Sequence, residues 1–443
     1  MKVSVMKEFK NFPQISALID DEALKNEPLY LRKYFAKAVV AEFKAEFKTA
    51  SKAALLDAIC QRIKQFKSKD YQRLINATGV VIHTNLGRSV IDESLLDECN
   101  DLLCGNFNLE FDLQSGKRGE RYGVVAEKLK MLFNAQDALI VNNNAAAVFL
   151  VLNSLANGDE VITSRGELVE IGGNFRMPEV MKSANAKLVE VGTTNKTHLK
   201  DYENALNENT ALLLKTHKSN FAFKGFHSEV TLSELYTLSR AKNVPLYYDL
   251  GSGWYKILNK ALTKGEESID KLIKHCDIMS FSADKLFGSI QAGIILGQKR
   301  LIERLKNNQI LRMLRVDKIT LILLNATLNA YLEGKFDKIT TNKLLNDNSQ
   351  TIKEKALKAQ NSLKVKCELK ESKSLVGGGS MPDKTLPSFV LAFKGEALSL
   401  QKTFRKLGII GRVENECFVL DFRTIKECEI QGLCKLINEE FSQ

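Results

Sequence analysis

Hydrophobic and polar positions along this 443-residue chain fall into three textures. Residues 1–70 carry no strand pattern. Pro28 marks a helix start, and Phe35, Val39, Phe43 and Phe47 then recur every fourth residue. That spacing predicts an amphipathic helix whose phenylalanine stripe forms the core of a small helical bundle. The tetrapeptide AEFK stands twice, at 41–44 and 45–48, so lysines lie beside the phenylalanine face. A second helix is expected over 52–66, with 67–70 as its exit.

From about residue 135, short apolar runs alternate with helical stretches. Strands are expected over 138–141, 160–163, 187–191, 211–215, 245–249, 277–281 and 292–296. Several are continuous in Val, Ile and Leu rather than alternating, as in strands buried on both faces of a mostly parallel sheet. The middle of the chain is therefore α/β. A long apolar helix follows near 319–332. The last hundred residues read as α+β, with strands over 388–393, 409–413 and 417–422, the last two as a hairpin. The expected organisation is a helical domain over 1–70, a large α/β domain over 71–315 and a small α+β domain over 316–443.

Composition narrows the function. Hydrophobic residues make up 44% and charged residues 26%, a globular balance that excludes a disordered chain. No apolar run nears the ~18–20 residues of a membrane span, and the charged start lacks a signal peptide's apolar stretch. The eight cysteines form no CxxC, and none pairs with the five histidines at zinc spacing, so no metal is expected. Reduced thiols in a cytoplasmic protein are the expectation.

The net charge of +11 is uneven. Residues 1–75 hold fifteen Lys and Arg against nine Asp and Glu, a surplus of six. A basic terminal module supplies the phosphate attraction a nucleic-acid binder needs, although a solvated helical face has the same composition.

Three strand ends carry candidate chemistry. VNNNAAAV at 141–148 runs a strand into an alanine-rich helix; Asn142 to Asn144 can cap it, and the start from Asn143 through Asn144 and Ala145 to Ala146 makes an anion site. PLYYDLGSG at 245–253 delivers Asp249 at a strand's C-terminal end, where α/β ligand sites lie. IMSFSADK at 278–285 ends in Ser282 and Lys285, and desolvation there lowers a lysine's pKa and suits it to bonding an aldehyde. An amine, a carboxylate for a ring nitrogen and an anion site are what pyridoxal phosphate (PLP) requires. Walker A and GxGxxG loops are absent, and GGGS at 377–380 does not link a strand to a helix. A Ser-x-x-Lys reading of Ser282 and Lys285 lacks its companion SDN and KTG motifs.

Further stretches carry a resemblance: LINATGVVIHTNLGR (74–88), NLEFDLQSGKRGERY (108–122), RGELVEIGG (165–173), SADK (282–285), QAGII (291–295), RMLRVDK (312–318) and LPS (386–388). Together they resemble the bacterial selenocysteine synthases, the L-seryl-tRNA(Sec) selenium transferases, a fold-type-I PLP family. One departure is LFGSI at 286–290, where the family usually has a Gly-Gly-Pro turn. The resemblance implies PLP on Lys285 and conversion of seryl-tRNA(Sec) to selenocysteinyl-tRNA(Sec) through a PLP-bound dehydroalanyl-tRNA. Selenophosphate would be the donor, and Arg88, Arg312 and Arg315 the arginines able to bind that anion. It also implies a homo-oligomeric ring of dimers, a decamer, whose N-terminal domain grips the tRNA. Neither DNA nor a membrane is expected as a partner. His83 and His217 read as structural histidines. The alternatives are a PLP lyase acting on a small free amino acid or amino sugar, which would have no use for a basic arm, and a catalytically silent tRNA binder, against which Lys285 and Asp249 argue.

Overall fold

The computed structural model describes residues 12–46, 50–173, 175–219, 221, 223 and 225–441. The chain divides between Arg73 and Leu74 into two compact units.

Among the described residues the first unit contains helices α1 (Ile15–Ile19), α2 (Leu29–Ala45) and α3 (Lys52–Lys67). Pro28 precedes α2 as its N-cap residue, and the Ser51 hydroxyl accepts the Ala54 N–H to start α3. The expected phenylalanine core is corrected here. The buried residues of α2 are Ala36, Val39 and Val40, packed with Leu18, Leu24, Leu55, Ile59 and Ile63. Phe35 and Phe43 are half-buried at the margin, and Phe47 lies outside the described residues. An every-fourth-residue row advances about 40° per step around a 3.6-residue helix, so with Val39 at the centre of the buried face, Phe35 and Phe43 stand about 40° to either side, at the core's margin.

The second unit is built on a seven-stranded sheet. Its strands are β3 (Asp137–Val141), β4 (Glu160–Ser164), β5 (Lys187–Val191), β6 (Thr210–Thr216), β7 (Leu246–Gly251), β8 (Ile278–Ser282) and β9 (Gly293–Gly297), after two short strands, β1 (Ile75–Asn76) and β2 (Val80–Ile82). The spatial order is β3-β9-β8-β7-β6-β4-β5, and only β9 runs against the rest. Strands β3, β8 and β9 are buried along their whole length, as their continuous apolar sequence requires. Helices α4 (Gly123–Phe133) and α5 (Asn144–Leu155) pack on this core, and so does α6 (Lys318–Leu332). The apolar helix expected with the C-terminal part thus contributes Leu321 to Tyr331 to the central core.

A five-stranded sheet forms the other layer, in the order β13-β14-β11-β10-β2, where β10 is Cys367–Gly377, β11 Ser380–Phe393, β13 Arg412–Glu414 and β14 Cys417–Asp421. Strand β2 lies beside β10, and β1 pairs with β12 (Ile409–Ile410), so residues 75–82 belong with the C-terminal sheets. Three expectations are corrected. The strand expected over 388–393 begins at Ser380; its partner Cys367–Gly377 was not foreseen, because CELKESKSLVG alternates half-buried and charged outward residues and reads as polar. The segment expected as one strand over 409–413 breaks at Gly411, where a Cβ would lie 2.5 Å from the Val419 carbonyl oxygen. The hairpin of β13 with β14 remains. The glycine run 377–379 turns β10 into β11.

Candidate active site

Six parallel strands end on one edge of the central sheet, and three of those ends carry the candidate chemistry. Strand β3 turns through Asn142 and Asn143 into α5. Asn143 caps that helix, its Oδ1 accepting the Ala146 N–H at 2.8 Å. The first-turn N–H groups of Asn144 and Ala145 have no carbonyl within the helix to bond, and the helix dipole adds positive potential at the same place. Strand β9 runs directly beneath. A Cβ on Gly293 would sit 2.2 Å from the Asn143 carbonyl oxygen, so only glycine lets the strand pass so close.

Asp249 lies in β7, in register with Ser280 of β8 and Thr216 of β6, and is buried. The Asn144 side chain donates from Nδ2 to Asp249 Oδ1 at 2.8 Å. The backbone N–H of His217 donates to the Asp249 carbonyl at 2.9 Å. Burial pushes the Asp249 carboxyl above its usual range. The Asn144 amide, the Lys285 ammonium, the Gly251 N–H and His217 pull it partly back.

Lys285 follows the buried Ser282 at the end of β8, the strand adjacent to β7, and is 8% exposed. Burial and the nearby Arg88 cation lower its pKa, while Asp249 and Asp284 oppose them. Arg88 Nη1 donates to Asp284 Oδ2 at 2.8 Å, and the Ser89 N–H donates to the Asp284 carbonyl at 3.1 Å. Asp284 was not singled out by sequence, although it stands beside the lysine in the SADK motif.

The LFGSI turn after Lys285 holds its shape without a proline. Gly288 adopts φ +78° and donates its N–H to the Lys285 carbonyl at 2.9 Å. The Tyr331 hydroxyl donates to the Phe287 carbonyl at 2.8 Å, and the hydroxyls of Ser289 and Thr327 lie 2.8 Å apart.

Arg312 and Arg315 lie elsewhere. With Arg118, Arg121 and Lys306 they line a depression of about 280 Å³ that includes none of Lys285, Asp249, Asn143 or Asn144. Glu110 faces Arg315 at 3.6 Å and bonds Arg118 and Arg121. One backbone link ties this segment to the strand ends: the Asn142 N–H donates to the Leu314 carbonyl at 3.1 Å. His83 accepts the Asn85 N–H through Nδ1 at 3.2 Å, a local turn contact. His217 Nε2 is 3.3 Å from Glu266, while its Nδ1 is buried without a partner among the described residues. Asn142 Oδ1 and Asn144 Oδ1 are likewise buried and unpartnered. Among the described residues no cluster of three or more His, Cys, Asp or Glu could hold a metal ion.

Comparison with known proteins adds the following. The family model described as L-seryl-tRNA selenium transferase matches residues 74–426. The L-seryl-tRNA(Sec) selenium transferase of Campylobacter jejuni subsp. jejuni serotype O:23/36 (strain 81-176) is 62% identical over 436 residues, covering 98% of this chain and 99% of that protein. The protein of the same description from Sulfurimonas denitrificans (strain ATCC 33889 / DSM 1251) is 46% identical over 441 residues, covering 97% and 98%. A solved structure of a D-glucosaminate-6-phosphate ammonia-lyase matches with a TM-score of 0.59 at 20% identity, covering 85% of this chain and 97% of that one. That last likeness concerns the fold.

Proposed function

The chain belongs to the L-seryl-tRNA selenium transferase family, and from that premise we propose how its own residues carry the reaction. It is an enzyme of selenocysteine biosynthesis that converts seryl-tRNA(Sec) to selenocysteinyl-tRNA(Sec), with selenophosphate as the implied second substrate. Its α/β architecture around a mainly parallel sheet is that of the fold-type-I PLP-dependent transferases.

Pyridoxal phosphate is the cofactor the family implies, and the site fits it. Asn142 Oδ1 and Asn144 Oδ1 are buried polar atoms without partners, the start of α5 is open to an anion, and Lys285 is a buried amine with no carboxylate within ion-pair distance among the described residues. Lys285 would bond the aldehyde. Asp249 would hold the ring-nitrogen proton. Asn143, Asn144 and Ala145 would bind the phosphate, with Ser282 at the end of β8 as a further proposed ligand. Bound there, the cofactor supplies an electron sink for loss of the seryl α-proton and β-hydroxyl.

The chain's residues do the rest. Burial and Arg88 favour the neutral amine of Lys285, which makes Nζ the base that takes the α-proton. Arg88 holds Asp284 and so fixes the turn that carries the lysine. Arg88 would receive the donor anion beside Lys285, while Arg312 and Arg315 would draw the same anion into a separate depression already rich in cations. Residues 1–70 would grip the tRNA through their basic surplus. A ring of dimers, up to a decamer, would cover the apolar side chains exposed on α4 and α6, among them Val124, Met131 and Ile319. A cytoplasmic location suits eight cysteines that form no disulfide, and no described helix is long and apolar enough to cross a membrane.

The observation that carries this reading is the meeting of Asn144 with Asp249 at the strand ends beside Lys285. An absorption spectrum of the purified protein before and after borohydride tests it, paired with conversion of seryl-tRNA(Sec) supplied with selenophosphate. A visible cofactor band that borohydride removes, together with selenium transfer, is expected. A colourless, inactive protein that gains neither with added PLP would refute it.

A further inference from the structure

Four side chains form a row along one face of α2: Tyr30, Lys33, Tyr34 and Lys37, spaced i, i+3, i+4 and i+7. All four are exposed, Tyr30 at 78% and Tyr34 at 59%. No acid stands in the row. Several other cations of the unit are engaged, Lys52 with Asp21, Arg62 with Glu42, Lys67 with Glu27, and Arg32 with the Ile19 carbonyl, whereas Lys64 and Lys69 have no such partner among the described residues. Lys33 and Lys37 have no such partner among the described residues. Tyr34 meets the Phe35 ring edge-on at 5.2 Å, which steadies it while leaving most of its surface in solvent.

Two exposed aromatic rings one helical turn apart, interleaved with unpaired lysines, match the chemistry of single-stranded RNA. Bases stack on aromatic faces whatever their sequence, and the lysines meet the flanking phosphates. Duplex RNA offers no such base faces, so the partner is an unpaired stretch. We infer that Tyr30 and Tyr34 form a stacking strip for unpaired bases of the tRNA, with Lys33 and Lys37 holding the adjoining phosphates. This rests on the reading of residues 1–70 as the tRNA-binding arm and deepens it.

The test uses the full chain and seryl-tRNA(Sec), with affinity measured over a range of salt. Tyr30→Leu with Tyr34→Leu keeps helix-forming apolar bulk at exposed positions but removes both ring faces. It should weaken binding at least about tenfold without changing the slope of affinity against salt. Tyr30→Phe with Tyr34→Phe should bind as the parent does. Lys33→Gln with Lys37→Gln should reduce the salt slope by about 1.4, the share of two single-strand phosphates. Parent-like affinity in the leucine pair, or loss in the phenylalanine pair equal to that in the leucine pair, would overturn the strip. So would a change of oligomeric state on sedimentation in the leucine pair, which would make the row a protein contact. Deleting residues 1–70 separates the two ideas. Affinity that falls on deletion but not in the leucine pair sinks the strip alone, and affinity unmoved by deletion sinks the arm as well.

Discussion

Asn144 Nδ2 donates to Asp249 Oδ1 at 2.8 Å, joining the first turn of a helix to a strand 105 residues further along the chain. One residue thereby serves two proposed contacts, the phosphate end of the cofactor through its backbone and the ring end through the aspartate. The bond also holds the Asp249 carboxyl down against the burial that pushes it up.

Asn144→Ala should therefore move the acid limb of the kcat profile to higher pH. Removing the bond lets the Asp249 pKa climb, and the reaction needs the carboxylate. A hydrogen bond to a charged group contributes ~1.5–3 kcal/mol, so a shift of about 1–2 pH units is expected. A profile that keeps its midpoint would mean that another group governs the acid limb.

Lys285→Ala should abolish both turnover and the visible cofactor band. Spectra of the purified variant with added PLP check this, and retention of both band and activity would remove Lys285 from the site.

Lys285→Met should stabilise the cofactor-free protein at neutral pH. The folded state depresses the lysine pKa, so it binds the proton less tightly than the unfolded chain does. The resulting penalty is full below the folded pKa and fades as pH rises through the unfolded value near 10.4. The melting-temperature gain, about 1 °C per kcal/mol in a chain of this size, should thus shrink toward pH 10. A gain that grows with pH would contradict it.

Arg88→Ala removes the cation that helps lower the Lys285 pKa and frees Asp284, which raises it. Both changes act in one direction. The pH midpoint for covalent capture of added PLP by cofactor-free protein should move upward, and a downward movement would place Arg88 elsewhere.

Arg312→Ala with Arg315→Ala should spare the first half of the reaction. Their depression lies apart from the residues around Lys285, so deuterium exchange at the seryl α-carbon should continue while selenium transfer fails. Loss of both would assign the pair to tRNA binding or folding.

Sequence alone determined the strand ends. Short, mainly apolar runs at 138–141, 245–249 and 277–281 read as buried strands of a mostly parallel sheet, and in such a sheet the polar residues that follow them, among them Asn143, Asp249 and Lys285, come out at the same edge. The basic surplus of residues 1–75 was equally legible, because net charge needs no fold. Pairings between residues far apart were not legible. The Asn144 bond to Asp249 and the Arg88 clamp on Asp284 depend on which strands become neighbours, and local spacing carries no record of that. The same holds for β10, whose charged alternation gains a buried face only when β2 and β11 flank it. Within α2 the four-residue recurrence named Val39, which is buried, and the phenylalanines beside it, which only border the core, while Ala36 and Val40 went unnamed. A repeat that drifts about 40° per step carries its outer members to the margin, and the packing of three helices chose which residues close the core.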